Sequence, residues 1–270
     1  VALAVAGVCS FGVAGKSSAA TLITAWNFDN LPVAFNTSPA ASTGTGVAAA
    51  LGMTNSYNGT TSVSTPDVLS DAGSSTGGPN AWRVRGQMPG NGWSSQAPIG
   101  SQGAEFDAST VGYSGITVSF DLHTTAQSEA NLELQYTTNG STWNNAALTY
   151  GGAGATVKTN TTSVNTVMGS YIQFTDTSAP WYNNITAVLT GVPAAGNNSK
   201  FGIRLVNAST GVDDVNQGGT AYNNSSGNWR YDNVVISGVV TPVPAPTMLR
   251  TMLSFIGVGA LGLLAQRRKA

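Results

Sequence analysis

Few residues in this chain of 270 are equipped for chemistry. There is one histidine, His123, and one cysteine, Cys9. General acid–base catalysis needs paired carboxylates or a positioned imidazole. Of the three glutamates, Glu129 and Glu133 flank the start of an alternating run that places Glu133 on a solvent face. No Gly-x-Ser-x-Gly elbow is present. Serine and aspartate are plentiful, so a Ser-His-Asp set stays open, but the reading is of a protein that is not an enzyme. Carboxylate oxygens suit a hard cation better. Asp29 follows the first strand and Asp232 lies in the last, so a structural calcium ion between them is expected if those strands are neighbours. Asp213-Asp214, in a loop rich in Gly and Asn, is a second candidate. His and Cys are too few for zinc. For sugar recognition the useful groups are exposed aromatic faces. Trp93 follows a Gly-rich turn, and Trp181-Tyr182 reads as a loop between Pro180 and Asn183-Asn184. All three are candidates for carbohydrate binding and equally candidates for the rim of a core.

These groups need a scaffold, and the composition bounds it. Only 9% of residues are charged. All twelve acidic residues lie between Asp29 and Asp232, where only six basic residues accompany them, so this region carries a net charge near −6. With no basic patch, it is no nucleic-acid binder. About 220 residues between the two ends suffice for one large domain with its own core.

The periodicity is that of strands. Ile116 to Leu122 alternates apolar and polar residues without fault, and Leu132, Leu134 and Tyr136 alternate with Glu133 and Gln135. Period two over consecutive runs predicts a half-buried antiparallel sheet, and Asn139-Gly140 is a hairpin turn. Further strands are predicted at 21–28, 81–85, 171–174, 185–189, 201–206 and 229–236. Residues 31–80 read as loops with short edge strands. In the last strand Trp229 and Tyr231 share one face while Val234 and Ile236 take the other, which a β-bulge near Asp232-Asn233 reconciles. Ile116, Val118, Phe120, Leu132, Leu134, Tyr136, Ile203 and Leu205 are the predicted core. Trp26, Trp143 and Trp229 are expected there too. With no convincing helical period between 21 and 240, the fold class is all-β: a two-sheet antiparallel β-sandwich, jelly-roll-like in its strand spacing. The stretches Phe106 to Tyr113 and Tyr231-Asp232-Asn233-Val234 resemble extracellular carbohydrate-binding or galactose-binding-like sandwich modules.

The two ends are of another kind. Residues 1–15 are small and apolar and lead into Lys16-Ser17-Ser18-Ala19-Ala20, so residues 1–20 read as the remnant of a secretory signal peptide, with Cys9 in the discarded part. The tail, 241–270, runs from Pro242-Val243-Pro244-Ala245-Pro246 through an apolar stretch to Arg267-Arg268-Lys269. Prolines make the first part an extended spacer. Residues 247–265 number about nineteen, near the ~20 that a membrane-spanning helix needs, and the basic cluster belongs on the cytoplasmic side.

This tail resembles the PEP-CTERM sorting signal of bacteria. The motif is Val243-Pro244-Ala245-Pro246, with Ala245 where the family has Glu, followed by the helix and by Arg267 and Arg268. The resemblance implies an exosortase-like processing enzyme as partner, transient anchoring in the membrane, and delivery to the cell surface or extracellular matrix. Read as a whole, the chain is an exported, non-enzymatic surface or matrix protein. The alternative is a carbohydrate-binding module for a matrix polysaccharide.

Overall fold

The computed structural model describes residues 19–29, 38–53, 73–74, 80–84, 93–94, 98–160, 167–208, 215–220, 223–224 and 227–242. The sorting motif Val243, Pro244, Ala245 and Pro246, the pair Arg267 and Arg268, and Asp213-Asp214 lie outside them. Among the described residues no helix is long and apolar enough to cross a membrane. The strands in chain order are β1 (Thr21–Trp26), β2 (Gly46–Leu51), β3 (Trp82–Val84), β4 (Trp93–Ser94), β5 (Gly103–Ala108), β6 (Tyr113–Thr124), β7 (Asn131–Thr137) and β8 (Trp143–Asn145). Then follow β9 (Leu148–Thr149), β10 (Ala155–Thr159), β11 (Ser170–Phe174), β12 (Trp181–Val188), β13 (Gly202–Asn207), β14 (Asn223–Asn224) and β15 (Trp229–Val240).

They form two antiparallel sheets that make a β-sandwich. The first has the order β1-β15-β6-β12-β9, with β3 also paired to β15. The second has the order β10-β11-β7-β13-β5-β2, with β8 also paired to β7. Strands β14 and β4 pair separately. Alternation explains the core: all eight residues predicted for it are buried, from Ile116, Val118 and Phe120 on β6 to Ile203 and Leu205 on β13. Aromatic rings fill the space between the sheets. Trp82 packs on Phe28, Phe106 and Tyr231, and Trp26 meets Phe106 edge-on at 5.3 Å between ring centroids. Edge-to-face pairs of this kind add to the area they bury.

Three placements differ from the sequence reading. Trp181 and Tyr182 begin strand β12 instead of forming a loop. Trp143 is half-buried on β8, with the Arg204 guanidinium 3.8 Å above its ring. Glu133 does point away from the core, yet it is fully buried. The Gly100 turn lies over its neighbour Gln135, and the Asn160 side chain reaches Glu133 from beyond β10.

Candidate functional site

Two bulges shape the outer face of the first sheet, and both flank β6. The register of β12 on β6 shifts between Tyr182 and Ile185, so Asn183 and Asn184 together face the single residue Asp121. On the other side the register of β15 shifts between Asp232 and Val235. This is the bulge expected from the phase change at Asp232-Asn233. Asn184 has φ 57° and Asn233 φ 47°. Asparagine accepts this left-handed region better than most residues. The bulges turn backbone N–H groups toward one point.

That point is a pair of carboxylates. Asp121 and Asp232 are direct cross-strand partners and both are buried. Asp121 Oδ1 accepts the Asn184 N–H at 2.7 Å. Its Oδ2 accepts the Asn233 Nδ2 donor at 2.8 Å and the Ser74 hydroxyl at 2.5 Å. Asp232 accepts the N–H of Ser74 and that of Asn233, each at 2.8 Å. Burial lifts Asp232 from 3.8 to about 6; the bonds from Ser74 and Asn233 hold it back, and Asp121 adds to the rise.

One step along the same face, a second row crosses four strands. Trp181 on β12 pairs with His123 on β6, His123 with Arg230 on β15, and Arg230 with Arg83 on β3. The Trp181 and His123 rings meet at 61° with centroids 5.5 Å apart. Burial, helped by the positive charges of Arg230 and Arg83, lowers His123 from 6.5 to about 4, so its imidazole is neutral at physiological pH. Beside the row is a concavity of about 500 Å3 lined by Ser119, Phe120, Asp121, Asn184, Asn233 and Val235. Hydroxyl and amide groups beside a half-buried tryptophan match the needs of a sugar ring, which takes hydrogen bonds at its edge and stacking on its face.

Of the aromatics expected to bind sugar, only Trp181 lies on this surface. Trp93 is fully buried, its ring centroid 4.6 Å from that of Trp229. Tyr182 is fully buried against Phe174 and donates its hydroxyl to Gly154 O at 3.3 Å. Adjacent strand residues face opposite ways, so Trp181 points out because Tyr182 points in. The strands that lead to the two aspartates of the expected calcium site are direct neighbours, β1 pairing with β15. Asp29 Oδ1 accepts the Asn80 N–H at 3.4 Å, and its backbone carbonyl accepts Asn80 Nδ2 at 2.9 Å. Asp232 has Asp121 as its direct cross-strand partner on β6. Among the described residues no group of three or more His, Cys, Asp or Glu side chains lies within reach of one metal ion.

Sequence reasoning missed Asp121 and Ser74. Asp121 was legible as an outward position of a perfect alternation, but its partner depended on β15 lying next to β6. A second acidic arrangement lies on the other sheet. Glu105 and Asp107 share a face of β5, Arg204 Nε donates to Glu105 at 2.6 Å, and a groove of about 380 Å3 runs past them to Lys200. Burial and, after it, the neighbouring Glu105 together raise Asp107 from 3.8 to about 6, with Arg204 acting against them. No protein-family model, no curated protein and no solved structure matches this chain.

Proposed function

We propose that this is an exported, non-enzymatic cell-surface or extracellular-matrix protein, sorted through its C-terminal segment by an exosortase-like enzyme. The observation that carries the reading is the order of that segment: proline motif at 242–246, apolar stretch at 247–265, then Arg267-Arg268-Lys269. The test is removal of Pro244 to Pro246 in the native host. Intact protein should be cut and leave the membrane fraction, and the deleted form should stay there at full mass. Equal release of both forms would reduce the motif to a spacer.

A second reading is supported by one observation, the half-buried Trp181 beside the Asp121 concavity. On this reading the sandwich is a carbohydrate-binding module for a matrix polysaccharide, with the outer face of the first sheet as its platform. The two readings are compatible, since a sorted surface protein can hold the polymer it is delivered to.

A further inference from the structure

Glu133 has no solvent exposure, although β7 turns it away from the core. Its Oε1 accepts Gln135 Nε2 at 2.6 Å, and its Oε2 accepts Asn160 Nδ2 at 2.6 Å. Each carboxylate oxygen therefore keeps lone-pair capacity. Three buried amide atoms of the residues on its strand's outer side have no hydrogen-bond partner: Oδ1 and Nδ2 of Asn145, and Oδ1 of Asn160. Asn145 is 1% exposed and Asn160 2%. Asn145 pairs directly with Gln135, so it shares the face of Glu133. Gly169 joins the two asparagines. Its carbonyl accepts the Asn160 N–H at 3.3 Å, and a Cβ built on it would lie 2.6 Å from Asn145 Cβ. Gly169, without a side chain, thus lets the chain pass close to Asn145 while it bonds Asn160, which itself bonds Glu133.

We infer that Glu133, Asn145 and Asn160 form a binding site for a divalent cation of the calcium class. Buried amide oxygens are costly when nothing meets them. A buried carboxylate is costly without a countercharge. One cation resolves both demands. The donors are a carboxylate and two amide carbonyls, all hard oxygens, with no sulfur or imidazole among them; this set suits calcium over zinc or copper. Water carried by the ion can accept from Asn145 Nδ2. The site is distinct from the Asp121–Asp232 pair, whose oxygens already receive donors from Ser74, Asn184 and Asn233.

Thermal melting of the full chain, followed by tryptophan fluorescence, tests the site with calcium chloride as the only added ligand. Against EDTA, saturating calcium should raise the melting temperature by about 5 °C. Glu133→Gln should abolish that rise, and Asp232→Asn should retain it. Tyr171 is the cross-strand partner of Glu133, so it should sensitise terbium luminescence in the wild type and in Asp232→Asn, but not in Glu133→Gln. Should Glu133→Gln fail to fold, Asn160→Ala takes its place in both assays. Identical melting in EDTA and calcium overturns the inference, leaving the amides to water. A calcium response that survives the loss of Glu133 or Asn160, or that vanishes with Asp232, overturns it as well.

Discussion

Replacing Glu133 by Gln changes one atom and removes a charge, and the structure fixes how its effect varies with pH. Burial raises the Glu133 carboxyl from 4.5 to about 7, and the bonds from Gln135 and Asn160 only moderate the rise. Below about pH 4.5 folded and unfolded chains both hold the proton, and the group leaves stability unchanged. Between about pH 4.5 and 7 the unfolded chain gives up this proton while the folded one holds it, so stability is lost until the folded carboxyl ionises. At about 1.4 kcal/mol for each tenfold in proton affinity, the loss approaches about 3 kcal/mol by pH 8. Glutamine carries no such cost. Its carbonyl keeps the bond from Gln135 Nε2, and its NH2 group meets Asn160, whose unpartnered Oδ1 can turn to accept it. In EDTA, Glu133→Gln should therefore be within ~1 kcal/mol of wild type near pH 4.5 and up to about 3 kcal/mol more stable near pH 8. Urea unfolding followed by tryptophan fluorescence at both pH values measures the difference. Asp232 and Asp107, each raised to about 6, give both proteins a slope of the same sign, and this cancels in the comparison. A variant-minus-wild-type difference that is the same at both pH values would refute the reasoning.

The other predictions concern the first sheet and the core. Asn233→Ala removes two side-chain hydrogen bonds and places alanine at φ 47°; it should cost about 3 kcal/mol in urea unfolding, and Asn233→Gly about 1 kcal/mol less. Trp181→Ala should change stability by no more than ~1 kcal/mol and abolish retardation in affinity gels cast with the matrix polysaccharide; unchanged retardation would remove support for the carbohydrate reading. Trp93→Ala, by contrast, should cost about 3–5 kcal/mol as a core truncation, with the folded fraction retarded as in wild type.

Period-two alternation carried most of the fold. It named the core residues of β6, β7 and β13 because each pleat puts alternate side chains on one face. It also located the bulge at Asp232-Asn233, since a phase change inside one strand has few other causes. The same pattern tells which way a residue points and nothing of what lies over it. Glu133 points outward as expected, and it is buried beside Gln135 and Asn160, the second of which meets it only in the folded chain. Trp143 likewise reads as core from its place beside a hairpin, but its ring is covered by Arg204, two strands away in the second sheet.

The companion bulge shows why the candidate site was harder to see. Asn183-Asn184 after Pro180-Trp181-Tyr182 carries the composition of a turn, because asparagine serves turns and bulges through the same tolerance of positive φ. Only the neighbouring strand decides between them. Where β6 supplies a partner on each side of the pair, the segment stays in the sheet and adds a residue; without one it would leave. Once in the sheet, the extra residue puts Trp181 on the outer face and delivers the Asn184 N–H to Asp121, while the bulge in β15 delivers Asn233 to the same carboxylate. Removing either bulge would shift its strand by one residue on β6 and exchange its inward and outward faces. Tyr182 or Ile236 would then leave the core as Asp121 lost its donors. Core and site therefore depend on the same two irregularities, so the residues that shape the outer surface cannot drift without cost to the inner one.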